Sequence, residues 1–308
     1  MHTSSSIPIH VSISVREAFA AHKAVVALES TVITHGLPYP QNLATLQDLE
    51  DTIRTSGAVP ATIIVWKGTA HVGIEDDILT ELADHGSHEL HKLGMRDLPL
   101  AFAKNLSGGT TVSATMLLSS IAGIEVFATG GIGGVHRDWQ SHPDVSSDLT
   151  ALASIPVIVV SAGCKAILDI SATLEYLESL AVPVLGWHTS EFPSFYSRGS
   201  GLRIDSVDSL ADVASFWQHH LSLHSRPSGV LIANPIPEEA EIPFEHIKPH
   251  IDAAIREASE SNILGKALTP FLLDKLAHAT KGDSVRANLA LLKNNALLAA
   301  KLATALKE

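Results

Sequence analysis

The stretch Pro156–Ile170, "PVIVVSAGCKAILDI", decides the fold. Its first half is an apolar run of strand length, as expected of a strand covered on both faces. The small residues "SAG" make a turn, and "CKAILDI" reads as the opening turns of a helix that runs on to Leu180. Strand, small-residue turn and helix are one half of a βαβ unit.

The same grammar recurs on both sides. "AVVALES" (24–30), "PATIIVWKG" (60–68), "IEVFATGGIGG" (124–134), "VPVLGWH" (182–188) and "GVLIANP" (229–235) read as further strands. Between them lie helical patterns. Gln41–Ser56 carries Leu43, Leu46, Leu49 and Ile53 on one face. "GIEDDILTELADHG" ends at Gly86, a segment after Pro99 is helical, and "TTVSATMLLSSIAG", "SSDLTALAS" and Ser209–Leu223 follow. "THGLPYPQN" and "EFPSFYSRGSG" read as loops, and the remainder after residue 235 as mostly helical. The expectation is an α/β protein, a three-layer α/β/α sandwich on a largely parallel central sheet. It forms one domain over residues 1–308, with about 1–20 as a partly looped N-terminal extension. No linker, repeat or low-complexity tract divides it.

Bulk properties exclude several functions. A net charge of −12 and no basic stripe argue against a nucleic-acid polymer as partner. A small anion remains open, since a few local donors hold one phosphate. The single cysteine, Cys164, leaves no internal disulfide and suggests a reducing, cytoplasmic setting. The apolar reach 110–135 is broken by Glu125 and glycines, so no membrane span is expected.

In a parallel sheet the ligand site lies beyond the carboxyl ends of the strands. "ESTVITHG", "TGGIGGVH" and "SAGCK" all fall there. Lys165 stands just after a strand. The dipole of a helix starting there would oppose an ammonium and favour a nucleophilic amine; the alternatives are a snorkelling lysine or an ion pair with Asp169. Glu29 closes an apolar strand and could serve as a buried acid, or as a loop carboxylate or cap. "SGGTTVSAT" (107–115) offers backbone amides and hydroxyls at a helix start, suited to a phosphate or to simple capping by threonine. It lacks the lysine of a Walker A loop, and "TGGIGGVH" has His136 where a dinucleotide fingerprint needs its last glycine. "HPDVSSDL" (142–149) sets Asp144 and Asp148 beside two serines, for a hard cation with waters or for helix capping. "HELH" (88–91) has no metalloprotease spacing. Lys92 with Arg96 could clamp an anion or face solvent, and Asn288, at helical spacing from Leu291 and Leu292, could be a core hydrogen-bonding residue or a ligand contact.

Taken together, "ALESTVITHGLPYPQN", "RDLP", "GTTVSATM", "FATGGIGGVHR", "DVSSDL", "SAGCKAILDI", "TLEYLE", "EFPSFY", "NPIP", "TPFLL" and "NLALLKNNA" resemble the pseudouridine-5′-phosphate glycosidase, or indigoidine synthase A, family, in family order from about Ala24 to Ala300. The resemblance implies reversible cleavage of pseudouridine 5′-phosphate to uracil and ribose 5-phosphate through a sugar–lysine adduct. It implies an α/β/α fold, a divalent ion such as Mn2+ and a homotrimer. By position, Lys165 matches the nucleophile, Glu29 the proton donor, Lys92 a substrate-contacting lysine and Asp144 the metal ligand. Ser146, Ser147 and Asp148 match the substrate stretch, and Thr110, Thr111 and Val112 the phosphate-binding turn. Thr129, His136 and Asn288 match sugar or base contacts. Departures are small: "DVS" for the usual "DIS", "LSGGTTV" for "NGATTV", and an unusual "RDWQSHP" leading to Asp144. A relative acting on another aromatic C-glycoside, or a non-catalytic nucleotide-binding protein, are the competing readings.

Overall fold

The computed structural model describes residues 7–37, 39–84, 90–137, 139–141, 143–223, 225, 227–263, 265 and 268–308. Gly86, the expected helix stop, and part of "HELH" and "RDWQSHP" lie outside them.

In chain order the strands are β1 (Ile9–Val11), β2 (Val25–Glu29), β3 (Val59–Trp66), β4 (Thr69–Val72), β5 (His91–Leu93), β6 (Gly108–Thr110), β7 (Val126–Ala128), β8 (Ile158–Ser161), β9 (Val184–Trp187), β10 (Asp205–Val207) and β11 (Val230–Ala233). The helices are α1 (Ile13–Ala20), α2 (Gln41–Thr55), α3 (Asp76–Asp84), α4 (Leu98–Ala103), α5 (Val112–Ala122), α6 (Ser147–Ser154), α7 (Ile170–Ser179), α8 (Leu210–Leu223), α9 (Phe244–Glu260), α10 (Leu268–Ala279) and α11 (Asp283–Ala305).

The eleven strands among the described residues join one sheet, whose main path is β1-β4-β3-β2-β7-β8-β11-β9-β10, with β6 on β3 and β5 on β6. Pairing is parallel except where β3 meets β4 and β6. The central strands are apolar runs because helices cover both faces: β2, β7, β8 and β11 bury nearly every residue. On one side α11 lies across β2, β7 and β8 and packs on α2 and α8. On the other, α5 lies across β2, β3 and β7 and packs on α6. The chain leaves β2 toward β3 on one side and returns to β7 on the other, so β2 and β7 flank the switch point where an α/β sheet opens a crevice.

Four departures from the sequence reading have local causes. The helix after β8 starts at Ile170, capped by Asp169, whose Oδ1 accepts from Ala172 N at 2.9 Å. Lys165 therefore lies in irregular chain five residues earlier, and neither a helix dipole there nor an ion pair to Asp169 explains it. Gly163 turns the chain at φ +82°, a conformation glycine adopts without strain. Ile132 then pairs with Cys164, so β7 and β8 stay side by side past their ends. Val32–Gly36, which overlaps the start of "THGLPYPQN", forms a single π-helical turn. "SGG" leads into the short strand β6 rather than directly into a helix. Finally, residues 9–20 form β1 and α1; Val15 and Ala18 of α1 are buried in the main core.

Candidate active site

A cavity of about 520 Å³ opens at the carboxyl ends of β2 and β7. Glu29, Lys92, Lys165 and Asn288 line it, together with His35, Gly131, Phe195 and Leu273. A broader surface depression of about 730 Å³ beside α7, lined by Glu175, Glu178 and Arg203, contains none of the residues singled out from the sequence.

Glu29 ends β2 and lines the cavity. Its Oε1 accepts a short hydrogen bond from the hydroxyl of Thr129, the first residue after β7. Burial raises the Glu29 carboxyl above the usual carboxylate range, and Asp148 pushes the same way. Lys165, the Thr129 bond and Lys92 oppose, without cancelling it. An acid that keeps its proton longer than usual, beside an amine, is the pairing needed to protonate one atom of a ligand while attacking another.

Lys165 is fixed through its backbone: its N–H donates to Ile132 O at 3.1 Å and its carbonyl accepts from Leu168 N at 3.0 Å. Lys92, on β5 and paired with Gly109 of β6, lines the same cavity. His35 also lines the cavity, with Nε2 donating to Leu90 O at 3.0 Å. Burial holds its imidazole below the ordinary histidine range.

Behind this wall Asp148 organises the backbone. Its Oδ1 accepts from Ser113 N at 3.0 Å, in the first turn of α5, and its Oδ2 from Gly133 N at 2.8 Å. Ser146 is the cap of α6, and Ser147 Oγ lies 3.1 Å from Ser113 Oγ, which is 3.2 Å from Thr111 Oγ1. These hydroxyls gather where α5 and α6 both begin, the setting that suits a phosphate. Thr110 and Val112 turn inward. Thr110 Oγ1 donates to Ile63 O at 2.7 Å, and Val112 is buried, so neither side chain faces the cavity.

Asp144 and His136 form a separate pair, with Oδ2 and Nε2 3.9 Å apart and His136 N donating to Asp144 O at 3.0 Å. Burial lowers the His136 imidazole; Asp144 opposes this, while Lys165 and Lys92 add to it. Among the described residues no three His, Cys, Asp or Glu side chains converge on one point. That donor set does not suit zinc. It fits a hard divalent ion that keeps most of its waters and takes one partly exposed carboxylate.

Sequence reasoning passed over Phe195 and Tyr196 in "EFPSFY" and Ser284 and Asn295 on α11. Phe195 and Tyr196 are buried, meet edge to face at 4.8 Å, and line the cavity, with the Phe195 ring against Gly131. Nothing in the local pattern of a loop announces this; only the fold brings it beside the glycine turn.

A family model described as indigoidine synthase A like protein matches residues 14–305. The chain belongs to the indigoidine synthase A family. Among similar members, the pseudouridine-5′-phosphate glycosidase of Caldanaerobacter subterraneus subsp. tengcongensis is 48% identical over 305 residues, covering 97% of each chain. That of Solibacter usitatus is 50% identical over 294 residues, covering 95% of this chain and 97% of its own. Two solved structures share the fold. An indigoidine synthase A-like protein from Thermotoga maritima superposes with a TM-score of 0.89 at 36% identity, covering 100% of this chain and 99% of its own. The prealnumycin C-glycosynthase AlnA, in complex with ribulose 5-phosphate, gives 0.90 at 34% identity, covering 98% of both. In this member of the family the glutamate, both lysines and the asparagine that the motifs marked share one cavity; Thr129 and Asp148 stand directly behind it.

Proposed function

We propose that the chain cleaves the C–C glycosidic bond of pseudouridine 5′-phosphate, reversibly, giving uracil and ribose 5-phosphate. The observation that carries this reading is the meeting of Glu29, Lys92 and Lys165 in one cavity, in a chain about half identical to pseudouridine-5′-phosphate glycosidases.

The leaving atom is carbon, which is far harder to expel than the nitrogen of an ordinary nucleoside. A covalent route divides the step. The Lys165 amine bonds to C1′ as the C1′–O4′ bond breaks, and the proton that the amine sheds passes to O4′. Glu29 then delivers its proton to C5 of the base. The C1′–C5 bond breaks, its electrons return to the uracil ring, and the amine lone pair closes a C1′ iminium. Water adds to C1′, expels the lysine amine and leaves the open-chain aldehyde of ribose 5-phosphate.

Lys92 and the α5 and α6 starts, with Thr111, Ser113 and Ser147, hold the phosphate in this scheme, with the backbone of Thr110 and Val112 beside them. Asp144 would hold a divalent cation, Mn2+ in this reading, with waters as the other ligands. Such an ion would supply charge neutralisation for the anionic substrate. His136 and Asn288 contact sugar or base, and Ser146 and Asp148 shape the turn. A single domain, a homotrimer and a cytoplasmic setting complete the reading. No helix among the described residues is long and apolar enough to cross a membrane.

The test is to mix the protein with uracil, ribose 5-phosphate and Mn2+ and look for the C-glycoside. No product with any divalent ion overturns the proposal. The likeness to a C-glycosynthase favours one second reading, the joining of another aromatic acceptor to a pentose phosphate. Failure with uracil but turnover with such an acceptor would select it.

A further inference from the structure

Asn295 lies in the middle of α11 and is wholly buried, with Leu291, Leu292, Ala296, Leu298 and Ala299 as buried neighbours on its helix. An amide in such surroundings is costly unless its polar atoms are bonded. Here they are. Nδ2 donates to the backbone oxygen of Thr129 at 2.8 Å and to that of Gly130 at 3.4 Å, and Oδ1 accepts from Asn234 Nδ2 at 2.9 Å. Asn234 is buried just past β11, and its backbone N–H donates to Ser161 O at the end of β8, 2.8 Å away. A continuous chain of bonds thus runs from β8 and β11, through α11, to the turn after β7.

The far end of that chain is Glu29. Thr129 donates its backbone N–H to Val160 O at 3.0 Å, and Gly130 O accepts from Ala162 N at 3.0 Å. Asn295 holds the carbonyl of the Thr129–Gly130 peptide, β8 and the residue after it hold the peptides on either side, and the Thr129 hydroxyl is aimed at Glu29 Oε1. Asn288, two turns earlier on the same helix, lines the cavity; Asn295 does not.

We propose that Asn295 is a positioning residue. By holding the Thr129–Gly130 peptide it sets the Thr129 hydroxyl, and through it the orientation of the Glu29 carboxyl toward the substrate. The inference deepens the proposed reaction and rests on it. Asn295 touches no reacting atom; it acts through two intermediates in fixed order.

A role confined to core packing would lower stability and leave the pH profile alone. The groups that bear on Glu29 are Lys165, Asp148, Lys92 and the Thr129 hydroxyl. The hydroxyl favours the ionised carboxylate. Loosening it favours the protonated acid, so the alkaline limb of kcat moves to higher pH, while a misaimed acid lowers kcat itself.

The experiment follows cleavage of pseudouridine 5′-phosphate against pH for the wild type, Asn295→Ala, Asn234→Leu, Thr129→Val and the Thr129→Val/Asn295→Ala double variant. No turnover by the wild type overturns the proposed reaction, and this inference with it, before any variant is compared. With an active wild type, Asn295→Ala is expected to lose kcat by about 10- to 100-fold with KM little changed, and its alkaline limb moves upward. Asn234→Leu frees the Asn295 amide without touching the turn and shifts both quantities the same way but less, which keeps the test open if Asn295→Ala does not fold. The double variant should reproduce the limb of Thr129→Val alone. Folded Asn295→Ala or Asn234→Leu with the wild-type limb, or simple additivity of the Thr129 and Asn295 effects, would overturn the proposal. Asn294→Ala, whose Nδ2 binds Pro235 O at 3.1 Å, is the control and leaves the limb in place.

Discussion

Glu29 and Lys165 leave the sheet two strands apart, with the glycine turn after β7 between them, and both line one cavity. Strands lie about 4.8 Å apart, so the two starting points are separated by about 10 Å. That gap admits a pentose and its base. In the proposed reaction attack comes from one side of the substrate and protonation from the other. Lys165→Ala should therefore abolish turnover and any adduct trapped by borohydride in the presence of ribose 5-phosphate, read by intact mass. Lys165→Arg keeps the charge but cannot lose its proton, and should be equally inactive. Full activity in either variant contradicts the nucleophile assignment.

Glu29 carries a second, independent signature in stability. Its carboxyl is raised by burial, so the folded state holds the proton more tightly than the unfolded chain does. The stabilisation this contributes is complete below the unfolded carboxylate range, about 4.3, and is lost as pH rises through the higher folded value. Glu29→Gln is neutral throughout and escapes that loss. Its urea midpoint should exceed that of the wild type at about pH 8, and the difference should narrow toward about pH 5. The same variant should be inactive for lack of a proton to give. A gap that widens toward acid pH contradicts the sign.

Much of this arrangement was legible in the chain because strands buried on both faces write themselves as plain apolar runs. "VVAL", "IVVS" and "VLIA" each became a central strand, and the residues after them became the site. What escaped was either short or set by contact. β4 has only four residues and follows a two-residue turn in which Lys67 and Gly68 both have positive φ. The edge strands β1 and β10 have three each. The start of α7 was placed too early because "KAILDI" has the composition of a helix, while the backbone there answers to Ile132 and Val135 of the neighbouring turn. Phe195 was invisible as a wall residue for the same reason: its role depends on Gly131, distant in sequence.

Asp148 illustrates a residue whose motif suggested ligand contact and whose surroundings show a prior commitment. Both its oxygens accept backbone N–H groups, one from the free N-terminal turn of α5 and one from the glycine turn. Asp148→Asn must present an NH2 to one of those donors. The mismatch should cost about 1–3 kcal/mol in urea unfolding, the penalty of a buried donor left without an acceptor. Activity should fall as well, since the hydroxyls gathered at the starts of α5 and α6 lose their common anchor. A variant as stable as the wild type would mean that the carboxylate is not what holds these two segments together.

Gly131 tests the cavity wall from the opposite side. A Cβ built there would lie 2.6 and 2.7 Å from the Cδ2 and Cε2 atoms of Phe195, closer than real Cβ atoms approach. The ring has little room to retreat. Phe195 is buried, its backbone is held in the left-handed region at φ +65°, and its N–H donates to Ala162 O at 3.0 Å. Gly131→Ala should therefore cost about 1–3 kcal/mol, typical of overpacking a tight interior. It should also raise KM, because the displaced ring and the displaced turn both border the cavity. The cause can be separated from a general loss of stability by pairing it with Phe195→Leu, which replaces the rigid ring by a smaller side chain able to turn away from residue 131. If the clash is the cause, the double variant is more stable than the sum of the single effects allows, and its KM moves back toward that of Phe195→Leu alone. Strict additivity in both stability and KM would show that Gly131 is required for something other than its contact with this ring.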